Sequence, residues 1–254
     1  GIIDWVGSSV TDLQKGDSVF VSVSNINGMF EARGGHISPS VSSRGAVIKL
    51  PPELDPVAYS GLVLTQVGYN CGERPRFEPG DAAVVVGDGL VGQWAGQMLA
   101  SRGAEVVMVG RHGDRLKHFT KGETLFENGG DWVEAVKERF PGGLQVGVDT
   151  VGSLGVMGQL ESSMKRFGHL VSAGFYGTDD CMALQPPRYK ELCIDLVSGA
   201  TPDRLEKTME LVAQGVLDTM SLITHRFPVE QAAEAWDLVE SKKEPVMGVV
   251  LEWA

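Results

Sequence analysis

Gly87, Gly89 and Gly92 stand in the run Val84-Val85-Val86-Gly87-Asp88-Gly89-Leu90-Val91-Gly92. An apolar segment of strand length precedes them, and a segment of helix length, Val91–Ser101, follows. In that setting the spacing has a physical meaning. Gly87 permits a tight turn, Gly89 lets backbone approach a pyrophosphate, and Gly92 lets a helix pack closely on a strand. The free N–H groups and positive dipole end of that helix then face the phosphates. Two glycines would suffice for a bare turn, so the third points to a dinucleotide. A loop of the kind that ends in Lys-Ser/Thr is excluded, because Gln93-Trp94 stands there. Asp88, Leu90 and Val91 join the three glycines as candidate contacts.

The next strand selects between dinucleotides. A ribose-binding Asp or Glu is expected about 20 residues past the loop for NAD. Here Glu105-Val106-Val107-Met108-Val109 leads into Gly110-Arg111-His112, with no carboxylate. A guanidinium pairs with a 2′-phosphate in a fork geometry, whereas a carboxylate repels it. Gly110 leaves room, Arg111 supplies the charge, and Arg115 follows one helical turn on. The pattern favours NADP(H) over NAD(H); the plainer alternative is a solvated loop cation. Two further turns, Thr150-Val151-Gly152 and Ala173-Gly174-Phe175, end apolar strands and are natural places for the nicotinamide ribose and carboxamide. Each would also serve as an ordinary turn.

These residues need a scaffold. From Pro79-Gly80-Asp81 onward, apolar runs alternate with helical stretches. Strands are predicted at 82–86, 105–109, 123–126, 145–149, 169–173 and 192–197, and helices at 91–101, 131–139, 155–166 and 203–213. That alternation implies a parallel sheet with helices on both faces. The chain before it reads as β-rich, with strands at 18–24 and 46–50 and a looser loop carrying Gly28, Gly34 and Gly35. A helix over 229–241 and a strand over 246–253 close the chain and return toward the β-rich part. The opening Gly1-Ile2-Ile3-Asp4-Trp5-Val6-Gly7 reads like the middle of a strand, as in a truncated or processed chain.

Composition narrows the function classes. Lys plus Arg number 22 against 33 acidic residues, a net charge of −11, so the basic footprint of a nucleic-acid binder is absent. Cys71, Cys181 and Cys193 form no C-x-x-C pair, which excludes a disulfide framework and a four-cysteine zinc site. No apolar run has the length of a membrane span, and no signal peptide opens the chain. A cytoplasmic protein acting on a small molecule is expected, with neither nucleic acid nor membrane as partner. No tyrosine is followed four residues later by lysine, so the proton relay of short-chain dehydrogenases is not visible. His36, His112, His118, His169 and His225 do not pair at metal-ligand spacings.

Taken together, these motifs resemble the medium-chain dehydrogenase/reductase family. The resemblance is carried by Val10–Val19, Lys49-Leu50-Pro51, Pro79-Gly80-Asp81, Gly87–Gly92, Asp149-Thr150-Val151-Gly152 and Ile223–Pro228. It implies a Rossmann doubly wound sheet over 61–202, bracketed by a partial GroES-like β-rich catalytic domain made of 1–60 and 203–254. It implies hydride transfer between a nicotinamide and an alcohol, aldehyde, ketone or activated alkene, and a homo-oligomer. The family segment carrying two catalytic-zinc ligands lies upstream of Gly1. The structural-zinc lobe is missing between Val23 and Ala46, and the third catalytic ligand falls near Leu62, which cannot bind zinc. The chain is thus similar to the zinc-independent branch, as in quinone reductases. The threonine that touches nicotinamide in many members aligns near Gln66. Tyr69 is the weak candidate for a proton donor, with packing the plainer role. Shorter pieces, Ala173-Gly174-Phe175-Tyr176, Ile223-Thr224-His225 and Leu251-Glu252-Trp253, resemble bacteriochlorophyllide dehydrogenases. The alternatives are a zinc-dependent alcohol dehydrogenase, a non-catalytic dinucleotide-binding protein and, more distantly, a methyltransferase.

Overall fold

The structure, a computed structural model, describes residues 1–21, 24–25, 33–34, 36–52, 55–127, 131–179 and 181–253. Short strands open the chain: β1 (Val19–Val21), β2 (Ser24–Asn25), β3 (Arg33–Gly34) and β4 (Val47–Lys49). β1 pairs antiparallel with β4, and β2 with β3. Ser22 and Val23 of the expected first strand, and Gly28 and Gly35 of the loop, lie outside the described residues. The opening residues form only an isolated antiparallel bridge, Ile2 to Ser18.

A helix that sequence pattern did not suggest follows: α1 (Leu62–Glu73). Its Thr65, Gly68, Asn70 and Gly72 are poor helix formers, so propensity hides it. Packing explains it. A Cβ on Gly68 would stand 2.5 Å from the Trp94 Cβ, and one on Gly72 2.6 Å from the Met98 Cβ. The glycines let two helix backbones approach closely.

The centre alternates as expected: β5 (Ala82–Val86), α2 (Leu90–Ser101), β6 (Glu105–Gly110), α3 (Gly113–Leu116), β7 (Glu123–Phe126), α4 (Trp132–Arg139), β8 (Leu144–Asp149), α5 (Leu154–Ser163), β9 (Met164–Ser172), α6 (Gln185–Tyr189) and β10 (Cys193–Leu196). The strands form one sheet in the order β10-β9-β8-β5-β6-β7, every neighbouring pair parallel. β5 is buried along its whole length. Its even-numbered residues join a core with Trp132, Val136 and Leu160, and its odd-numbered valine and alanine join one with Cys71, Ala95 and Leu99. The period-two alternation thus covers both faces with helices. From β7 the chain crosses to the far side of β5, opening a crevice at the carboxyl ends of β5 and β8.

One boundary is corrected. The helix expected over 155–166 ends at Ser163, and Met164 begins β9. Met164 is buried against Leu160 and Gly168, and Phe167 takes a left-handed φ of 65°. Between the pairs Leu144↔Met164 and Val146↔His169 the longer segment of β9 bulges, so the amphipathic pattern runs past the true helix end.

The remainder holds α7 (Pro202–Ala213), β11 (Ile223–Pro228), α8 (Ala232–Ser241) and β12 (Gly248–Glu252), with β11 and β12 paired in parallel. Leu205, Met209 and Val212 of α7 share an apolar cluster with Leu50, Tyr59, Leu62 and Trp94. Trp94 also donates its indole N–H to the Asp218 carbonyl at 3.0 Å. Among the described residues no helix is long and apolar enough to cross a membrane.

Candidate dinucleotide crevice

The glycine loop sits at the mouth of this crevice. Gly87 has φ of 117°, a left-handed value that suits glycine, and a Cβ there would overlap the Thr150 hydroxyl. A Cβ on Gly92 would overlap the Gly87 carbonyl oxygen, so loop and helix can close only without side chains. Gly89 differs. Nothing lies within 4 Å of where its Cβ would be, and no side chain caps α2 at this position. The first N–H groups of α2, from Leu90 and Val91 onward, therefore face an open cradle. That arrangement fits a pyrophosphate.

On one side the loop meets the end of β8. Thr150 donates both its N–H and its hydroxyl to the Val86 carbonyl, each at 3.0 Å. Asp149 is fully buried. Its carboxylate accepts from the N–H groups of Val151 at 2.7 Å, Gly152 at 3.3 Å and Ser153 at 3.0 Å, and from the Tyr176 hydroxyl at 2.7 Å. Burial, with the Asp149 carboxylate beside it, pushes the Tyr176 hydroxyl well above the ordinary tyrosine range. Gly152 and Gly174 press backbone to backbone, and Phe175 packs its own backbone on Gly152. The Ala173 N–H donates to the Asp149 carbonyl at 2.9 Å, which fixes the end of β9 beside that of β8. The Phe175 ring is 98% exposed and Val151 46%, an apolar lip on the crevice.

On the other side the loop meets the end of β6. The Asp88 side chain folds over Gly110, where a Cβ would stand 2.5 Å from the Asp88 Cβ. So a carboxylate does occupy the space above Gly110, supplied by the loop rather than by β6. It is buried and engaged from within. The His112 N–H donates to it at 2.8 Å, the His112 Nδ1 lies 3.0 Å from both oxygens, and Arg115 Nη1 is 3.8 Å away. Gln93 ties the same parts together, donating to the Arg115 carbonyl at 3.0 Å and the Asp88 carbonyl at 3.4 Å. Arg111 is exposed and makes no hydrogen bond or ion pair among the described residues.

The structure thus gathers Gly87, Asp88, Gly89, Leu90, Val91, Gly92, Gly110, Arg111, Arg115, Thr150, Val151, Gly152, Ala173, Gly174 and Phe175 around one crevice. Gln66 is fully buried in α1, with neither amide atom hydrogen-bonded among the described residues. Tyr69 packs in the apolar cluster of α1, α2 and α7, where burial and then Glu73 raise its hydroxyl above the ordinary value. Leu62 is likewise fully buried. Among the described residues no three His, Cys, Asp or Glu side chains come together as a metal site. Sequence reading missed His112, Gln93, Asp149 and Tyr176 as the ties of the site. The spacing of Asp88 to His112 carried no local signal, because the contact spans a whole crossover helix.

Comparison with known proteins agrees with this geometry. The family described as zinc-binding dehydrogenase matches residues 91–214. The 2-desacetyl-2-hydroxyethyl bacteriochlorophyllide A dehydrogenase of Rhodobacter capsulatus is 25% identical over 248 residues, covering 96% of this chain and 74% of its own. The chain is an oxidoreductase similar to the medium-chain dehydrogenases/reductases, the family match covering close to half of it. Among solved structures, a dehydrogenase of Sinorhizobium meliloti 1021 bound to NADP superposes with a TM-score of 0.80 at 20% identity, covering 99% of this chain and 81% of its own. An alcohol dehydrogenase of E. coli CFT073 complexed with NADH gives 0.83 at 17% identity, covering 99% of this chain and 81% of its own. Both share this fold, one of them bound to NADP and the other to NADH.

Proposed function

We propose that the protein is an NADP(H)-dependent oxidoreductase that transfers hydride to or from a small alcohol, aldehyde, ketone or activated alkene without zinc. One observation carries the choice of cofactor. Arg111 stands exposed beside Gly110 and unpartnered among the described residues, while the nearby Asp88 carboxylate is already engaged by His112 and Arg115. A 2′-phosphate would find a free guanidinium there rather than a free acid. The bound cofactor would supply the hydride. The chain's part is to hold the pyrophosphate on the loop and to place the nicotinamide end near the turns after β8 and β9. Residues 1–60 and 203–254 are read as one split catalytic domain around the dinucleotide domain 61–202. The working form is a cytoplasmic homo-oligomer whose partner is a small molecule, with no role for nucleic acid or membrane.

A zinc-dependent alcohol dehydrogenase is the second reading, favoured by the zinc-binding description of the matched family. Against it, Leu62 stands at the place of the third ligand and is buried among apolar side chains. A tetrahedral site needs about four N, S or O ligands. Turnover with NADPH and NADH across aldehydes, ketones and quinones, alongside elemental analysis of the dialysed protein, separates the two. The proposal expects NADPH-driven turnover with no stoichiometric metal. One zinc per chain, lost together with activity on chelation, would favour the second reading.

A further inference from the structure

We infer that the groove between β4 and α7 docks an extended basic peptide of a partner protein, which adds to the edge of β4 and sets its cationic side chains against Glu206 and Glu210. The inference does not draw on the cofactor reading. The groove has a volume of about 860 Å³, within the range of a ligand site. Val47 of β4, Val63 of α1, and Leu205 and Met209 of α7 give it an apolar floor. Among the described residues β4 pairs with β1 alone, so its other edge is open. The hydrogen bonds show which backbone groups face that edge. The Leu50 N–H donates to the Ser18 carbonyl, and the Val19 N–H donates to the Gly1 carbonyl instead of to β4. Hydrogen-bonded pairs alternate along an antiparallel ladder, so Val19↔Lys49 is a non-hydrogen-bonded pair. Lys49 therefore turns its N–H and C=O away from β1, and neither has a partner among the described residues. The corresponding groups of Val47 are already closed. Its N–H donates to the Arg44 carbonyl, and its C=O accepts from Arg44 Nη1 at 2.7 Å. One rung is thus open to an incoming strand, and Arg44 stops the pairing beyond it.

Charge selects what the strand carries. Four charged side chains line the groove: Arg44, Lys49, Glu206 and Glu210. Both cations are matched by their own neighbours, Arg44 by Asp12 and Lys49 by Asp17, the latter at 2.8 Å. The two carboxylates are not. Glu206 makes no hydrogen bond or ion pair among the described residues, and Glu210 has only an exposed pair with Lys207. Such a pair is worth little in water. The uncompensated charge of the groove is therefore negative, and the chain's net charge of −11 draws cations from a distance. Glu206 and Glu210 stand one turn of α7 apart, about 5.4 Å along its axis. Alternate residues of a strand point to one side and lie about 6.6 Å apart. Two basic residues in alternation can thus face the two carboxylates while the apolar residues between them face the floor.

The test is fluorescence anisotropy of a labelled acetyl-Val-Lys-Val-Lys-Val-amide peptide titrated with the whole protein at low salt. Wild type is expected to bind it with a micromolar Kd, and to bind the same peptide with Glu in place of both Lys at least about tenfold more weakly. Reversing the rim with Glu206→Lys and Glu210→Lys together should weaken the basic peptide by at least about tenfold, and Glu206→Gln with Glu210→Gln by less. Both positions are exposed on α7, so circular dichroism and dinucleotide affinity should not change. A peptide N-methylated at every residue cannot donate to Lys49 and should also lose about tenfold, the scale of a hydrogen bond whose partner is left unpaired. No binding by wild type up to millimolar protein would overturn the site. Equal affinity for the basic and acidic peptides, or for wild type and the reversed rim, would overturn the role of α7. Undiminished binding of the N-methylated peptide would overturn strand addition to β4.

Discussion

Two buried carboxylates flank the glycine loop, and they are held in opposite ways. Asp149, at the end of β8, is satisfied by three backbone N–H groups and a tyrosine hydroxyl, all neutral. Asp88, beside the end of β6, is satisfied by one backbone N–H, an imidazole and a nearby guanidinium. Neutral dipoles fixed by the fold make the first carboxylate an anchor, indifferent to what enters the crevice. The second carboxylate is held instead by side chains, an imidazole and a guanidinium that come from the turn after β6 and from α3. The same residue type, at the ends of the two strands that flank β5, is therefore held by neutral dipoles on one side and by ionisable side chains on the other.

The strongest way to break this contrast is Asp149→Ala. Four donors would lose their buried acceptor, and a cost of about 4 kcal/mol is expected from denaturant unfolding. A loss under about 1 kcal/mol would mean that the turn is held by something else. Gly89→Val comes next. Its Cβ enters open space, so the fold and both carboxylate networks should survive. Affinity for either dinucleotide should still fall at least about 100-fold, since the branched side chain fills the pyrophosphate cradle. Normal NADPH binding by a folded variant would reduce the loop to a plain turn.

Tyr176→Phe sharpens the anchor side. Removing a hydroxyl bonded to a buried carboxylate should cost about 2 kcal/mol at neutral pH. The Tyr176 hydroxyl is raised in the folded state, so its contribution is present below the unfolded value of about 10 and is lost as pH rises beyond it. The gap between wild type and the variant should narrow above pH about 10. A gap that widened there would contradict the Tyr176–Asp149 bond.

The contrast between the two sides also marks what the sequence could reveal. The alternation of strands and helices, the loop and the turns after β8 and β9 are local patterns, and they lie where the residues placed them. Helix α1 was hidden because Gly68 and Gly72 serve contact with α2 at the expense of helix propensity. The end of α5 was hidden because Met164 to Arg166 continue a helical pattern into a bulged strand. The empty strand end at Gly110 was legible, but the carboxylate lying over it was not. Asp88 comes from 22 residues earlier and meets Gly110 only through parallel pairing of β5 and β6.

The account stands most directly on Arg111. Calorimetric affinities for NADPH and NADH, measured on wild type and Arg111→Ala, test it in one comparison. Wild type should prefer NADPH, and the variant should lose about tenfold in NADPH affinity, the scale of one charge-assisted guanidinium–phosphate contact, with NADH unchanged. A 2′-phosphate preference that survives the substitution undiminished would contradict the assignment of this side of the crevice.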